Sequence, residues 1–191
     1  MATGVSILNK KVNVPKYLHE LHGESPTMFS LLMTYFTGLI AGLLVIVFIS
    51  SSGMPIWKKL ILFILYLDIA GGVVANFSSS TKRYYEKHVE LRYYFIFLHF
   101  LHPLLFILLF PDSVYYFIYV GLFTIIACLF LYQVKNVEVQ QTFASFLLVA
   151  GVLISFFFNL PLKVLYSFAP LFMTKLIIGF SVKRQDHEYQ D

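Results

Sequence analysis

Three ionisable residues fall inside otherwise apolar runs: Asp68 in LILFILYLDIAGGVVANF, and His99 with His102 in RYYFIFLHFLHP. A carboxylate and two imidazoles are side chains that hold transition-metal ions or pass protons. At hydrocarbon depth each is costly, so each marks a candidate site. His99 and His102 are three residues apart, which on a helix turns both toward one partner. If the second apolar run leaves the membrane near Ser78 and the third re-enters near Arg92, Asp68 and His102 both lie about 15 Å deep at 1.5 Å per residue.

The neighbouring residues are read around that trio. Arg92 falls on the same helical stripe as the histidines, and His88 joins it if the helix begins early. Gly72 and Ala75 follow Asp68 along one face and leave a small-residue groove for bulky rings of a neighbouring helix. Asn76 is offset toward the cytoplasmic end, where it is expected to bond backbone or a Tyr. Lys175, in the last apolar run, is about 10 Å from that same end.

Three chemistries are compatible with this set. Asp68, His99 and His102 could bind Zn²⁺ or another divalent metal with one position open for water, giving a hydrolase for a lipid-like ester or amide. They could form a proton relay or ion site, joined by Lys175, in a small transporter that would need to form a homo-oligomer. Or Asp68 pairs with Lys175 or a His as interhelical glue, in a non-catalytic scaffold or accessory subunit. In residue types the trio resembles the centre of seven-helix membrane hydrolases of the alkaline ceramidase and progestin-receptor type. There, Ser, Asp and His ligands surround an intramembrane zinc. The resemblance implies a zinc site and covers only these three residues. The chain departs from that group in having six expected spans and no His-x-x-x-His pair in its last helix.

The elements that must position these residues are membrane helices. Of 191 residues, 59% are hydrophobic and only 13% charged, about half the charged fraction of a soluble domain. Spans are expected over about residues 28–49, 60–77, 92–110, 114–132, 142–158 and 162–180. The sixth is least secure, since Lys163, Pro170 and Lys175 could make it interfacial or re-entrant. Gly38 and Gly42 offer a small face for close helix approach. A basic turn, SSSTKRYYEKHVELR, is expected to join the second and third spans as side-by-side neighbours. Residues 1–27 form an N-terminal segment, 28–181 the bundle and 182–191 a tail.

Charge gives the orientation. Lys10, Lys11, Lys16, Lys82, Arg83, Lys87, Arg92, Lys135, Lys183 and Arg184 fall on one side, against Lys58, Lys59 and Lys163 on the other. That asymmetry predicts cytoplasmic termini and a multi-pass protein of the cell membrane. The first apolar run is too long for a cleavable leader and reads as an uncleaved signal-anchor. The Lys and Arg form no stripe for nucleic acid, and their partner is the bilayer surface. Cys128 is the single cysteine, which excludes an intrachain disulfide. A short interfacial helix is expected in VPKYLHELHGE, with Tyr17, Leu18 and Leu21 toward lipid. Its His19, His22 and Glu24 are a weaker ligand trio. Ser25-Pro26 is expected to cap the first span and begin its first turn.

Overall fold

Leu, Ile, Phe and Val fill the long runs. In lipid a single segment satisfies its own backbone groups only as a helix. The computed structural model describes residues 7–183. It has six helices long and apolar enough to cross a membrane: Met28–Phe48, Ile56–Phe77, Val89–Leu109, Pro111–Gln133, Val137–Ser155 and Lys163–Phe180. The chain is therefore an all-α, multi-pass membrane bundle. Among the described residues the one isolated β-bridge joins Lys11 to Thr27. Most of the expected tail, including Arg184, lies outside the described residues, as do residues 1–6 of the N-terminal segment.

Several spans start earlier than apolar content alone indicates, because the helices continue through interfacial polar residues. The fifth begins at Val137, with the Asn136 side chain accepting from Val139 N–H at 3.0 Å. The first, by contrast, begins at Met28 as expected, capped by Thr27 accepting from Ser30 N–H at 3.1 Å. Pro26 is thus not in the first turn: its carbonyl accepts from Val12 N–H in an extended pairing.

Gly38 and Gly42 are buried against the second span, where added methyl groups would run into Leu67 and Phe63. The small face does what its spacing implies, and its partner is the second span. The sixth span is the hub. Phe168, Phe172, Met173, Leu176 and Ile177 are all fully buried in it, so it is neither interfacial nor peripheral. It packs against the second, fourth and fifth spans.

That placement corrects the expected hairpin of spans two and three. The stretch after Ser78 is no turn but a helix, Ser79–Lys87, capped by the Ser78 hydroxyl accepting from Thr81 N–H. Nine helical residues displace the third span by about 13 Å, and the sixth span packs on the second in the space gained. The second and third spans meet mainly through side chains: Tyr66 on Phe106, Asp68 on His102, and Lys58 Nζ donating to the Leu109 carbonyl.

The N-terminal segment folds back over the connecting helix. Tyr85 O–H donates to the Glu20 carbonyl and Thr81 O–H to that of Leu21, while Ser25 N–H donates to Ser80 Oγ. Within VPKYLHELHGE, only His19–His22 is α-helical, after a 3₁₀ turn at Lys16–Leu18. Tyr17 is exposed, but Leu18 and Leu21 are half-buried and do not face outward with it as expected. The backbone ties to Ser80, Thr81 and Tyr85 turn that side inward.

Candidate metal or proton centre

Asp68, His99 and His102 come together at mid-span, and one ligand atom from each lies within 4.8 Å of the others. Two spans deliver them and the sixth adds Lys175; the third and the sixth each carry a local irregularity.

In the third span the helix Val89–Leu98 stops and a second, Leu101–Leu109, begins. Pro103 has no N–H for the His99 carbonyl four residues earlier. That oxygen accepts instead from His102 N–H at 3.1 Å, and His102 Nδ1 lies 3.2 Å from it. The break falls at His99–Phe100. Pro103 is the third residue of the new helix, where a missing N–H costs nothing. The two imidazoles stack with centroids 5.1 Å apart and planes 16° from parallel. His99 Nδ1–H donates to the Phe95 carbonyl at 2.7 Å, which leaves Nε2 as the nitrogen with a lone pair.

The second span is a continuous helix and supplies Asp68. His102 Nε2 is 2.6 Å from Asp68 Oδ2. Lys175 Nζ approaches the same oxygen at 2.8 Å and the Asp68 carbonyl at 3.5 Å.

Lys175 comes from the sixth span, which winds as 3₁₀ over Lys163–Ser167, α over Phe168–Met173 and π over Thr174–Phe180. Pro170 sits in the first turn of the α segment, where it is tolerated. The wide π turn displaces backbone bonding, and Asn76 Nδ2–H donates to the Lys175 carbonyl at 3.0 Å. Asn76 thus bonds backbone, as expected, but on the sixth span. Gly72 is the counterpart on the second: a methyl there would collide with Lys175 Cε and sit 2.7 Å from Nζ. The small-residue groove receives a lysine stem and not the expected rings.

Lys175 is 2% exposed and His99 6%. The Asp68 side chain, by contrast, keeps 40% of its surface open and that of His102 16%. Ile64, one turn before Asp68 on the same helix face, and Leu98, just before the break in the third span, are exposed apolar residues. The exposed part of Asp68 and His102 is therefore flanked by apolar side chains.

His88 and Arg92 are held elsewhere. His88 Nδ1–H donates to the Tyr84 carbonyl, and Arg92 Nε–H to that of Tyr85, with its guanidinium over the Tyr132 ring. The N-terminal trio does not converge: His19 bonds the Val14 carbonyl, His22 the Tyr35 hydroxyl, and Glu24 pairs with Lys87. Sequence reasoning missed the part of Tyr66 and Tyr116, whose hydroxyls donate to the Val164 and Leu165 carbonyls left open in the 3₁₀ turn. Tyr66 lies inside an apolar run and Tyr116 in a doubled tyrosine at a span end, and neither setting signals a bond to the sixth span.

The arrangement has one chemical feature that constrains what it does. His102 has an oxygen acceptor at each ring nitrogen, Asp68 Oδ2 and the His99 carbonyl. A neutral imidazole donates from only one. A second proton or a metal ion resolves the other. Ligands about 2.0–2.1 Å from a tetrahedral ion lie about 3.3 Å apart. The 2.6 Å pair must open and the 4.8 Å separation close to reach that, shifts within side-chain reach. The donor set, two imidazoles and a carboxylate, suits zinc, and both Nδ1 atoms already face backbone carbonyls as ligating histidines do. Lys175 on one carboxylate oxygen is the feature that a metal site would not by itself require.

No family model matches the chain, and no curated protein or solved structure does either.

Proposed function

We propose that the chain is a metal-dependent membrane enzyme acting on a lipid-like substrate that reaches Asp68 from the side, through the opening between the second and third spans. The observation that carries this reading is the pair of acceptors facing His102, which a divalent ion between imidazole and carboxylate would satisfy. Asp68, His99 and His102 would hold zinc or a similar divalent ion. When bound, such an ion lowers the pKa of its water to about 7 and so supplies a nucleophile for ester or amide hydrolysis. The protein's own contribution is positional. The Phe95 and His99 carbonyls fix the ring orientations, and Lys175 holds one oxygen of Asp68. The flanking apolar residues admit an acyl chain and keep bulk water out. The Lys and Arg asymmetry supports cytoplasmic termini and residence in the cell membrane.

The test is elemental analysis of the purified protein beside Asp68→Ala and His102→Ala. One divalent metal per chain in the wild type, lost in both variants while the helix content is kept, is the expected result. A metal-free wild type that is folded overturns the reading. A second reading is favoured by the 2.8 Å Lys175–Asp68 pair: a proton or ion relay, working as a homo-oligomer. It predicts ion flux in proteoliposomes that Asp68→Asn abolishes.

A further inference from the structure

A second polar site lies at the other level of the molecule, where the N-terminal segment crosses the corner between the second span and the connecting helix. It is a cavity of about 340 Å³, within the range of about 300–1,000 Å³ that holds small ligands. Its polar part carries Lys11 and Arg83. Neither cation makes an ion pair among the described residues, and no carboxylate there lines the cavity. Its floor is apolar: Phe29 and Met33 from the first span, Val74 and Phe77 from the second. Two helices, the first span and Ser79–Lys87, begin beside it, so the positive ends of both dipoles add to the two side-chain charges.

Height distinguishes this cavity from a basic loop in water. Phe29 and Phe77 are the terminal-turn residues of their spans and are both exposed, which sets the edge of the hydrocarbon at the cavity floor. The ligand that fits is therefore amphipathic, with a negative head between Lys11 and Arg83 and a chain running down past Phe29 and Met33. We propose that this cavity binds the phosphate of an anionic phospholipid at the membrane face carrying the N-terminus. The site is independent of Asp68 and of any reaction there. It tethers the N-terminal segment to the bilayer, because Lys11 belongs to the segment and Arg83 to the helix beneath it.

The experiment uses full-length protein in nanodiscs of phosphatidylcholine with increasing phosphatidylglycerol, read as the shift in thermal unfolding and as lipid retained in native mass spectrometry. The expected result is saturable stabilisation, with one phosphatidylglycerol retained per chain. Two basic contacts near a membrane surface predict that Lys11→Glu with Arg83→Glu weakens retention by about tenfold or more. Lys163→Glu, at the opposite membrane face, leaves retention unchanged. Ser30→Trp, which fills the cavity without changing charge, also lowers retention and so separates a built site from general attraction. Equal retention by wild type and Lys11→Glu/Arg83→Glu overturns the proposal, as does unchanged retention by Ser30→Trp. Equal stabilisation by inorganic phosphate in neutral nanodiscs would make free phosphate the ligand and overturns the lipid assignment.

Discussion

The chain contains the same two-histidine spacing twice, His19 with His22 and His99 with His102, and uses it in opposite ways. In the N-terminal pair each ring finds its own partner through Nε2, the Val14 carbonyl for one and the Tyr35 hydroxyl for the other. In the mid-span pair the backbone takes Nδ1 of both rings, and the remaining nitrogens cluster with Asp68. Spacing alone therefore decides little. What decides is which nitrogen the backbone occupies, and Pro103 sets that by freeing the His99 carbonyl for His102.

The largest expected effect comes from breaking the mid-span cluster at its acid. Asp68→Ala leaves the Lys175 ammonium buried without its counter-charge. Removing one partner of a buried pair costs about 3–5 kcal/mol, and the partial opening of Asp68 puts this case near the lower end. Denaturation in detergent should show that loss for Asp68→Ala and for Asp68→Asn. Lys175→Met combined with Asp68→Asn should recover most of it. If the double variant is no more stable than Asp68→Asn alone, the ion pair does not hold these helices.

Next in size is a change that touches no charged group. Gly72→Ala puts a methyl into the path of Lys175, whose buried stem has little room to move. Overpacking of this kind costs about 1–3 kcal/mol. It should also uncouple Asp68 from Lys175, so that Asp68→Asn costs less in a Gly72→Ala background than in the wild type. Purely additive effects would mean that Gly72 matters for packing alone.

The sequence exposed the spans and the depth match of Asp68 with His102, because both follow from apolar run length and helix rise. It did not expose the order of packing. SSSTKRYYEKHVELR has the composition of a solvated turn, yet Ser78 caps a helix in it, and that helix makes room for the sixth span beside the second. The sixth span was also hard to read. Lys163 and Pro170 resemble interfacial residues until Lys175 is seen paired with Asp68, a contact across more than a hundred residues that no local pattern encodes. Gly72 carried a usable signal: a glycine on the Asp68 face had to admit something, but a lysine stem and an aromatic ring are equivalent to that argument.

The N-terminal pair gives a smaller and pH-dependent effect. His22 is buried against Tyr35, and burial lowers its pKa below the ordinary value of 6.5. His19 and Glu20 share its own short helix, and the His22 ring bonds the Tyr35 hydroxyl of the first span. Above 6.5 the ring is neutral whether the segment is docked or free, so docking is at full strength there. As pH falls below 6.5 the free segment takes up a proton that the docked one resists, and docking weakens toward the lowered value. Amide exchange at Val12 and Gly23, whose N–H groups donate to Pro26 and His19, should therefore accelerate between pH 7 and pH 5. His22→Phe loses a hydrogen bond of about 0.5–1.5 kcal/mol and exchanges faster at neutral pH, but its exchange no longer carries this extra acid dependence. If the variant keeps the same dependence after correction for intrinsic exchange, protonation elsewhere loosens the segment, and the N-terminal pair has no more titrating role than its spacing gave it.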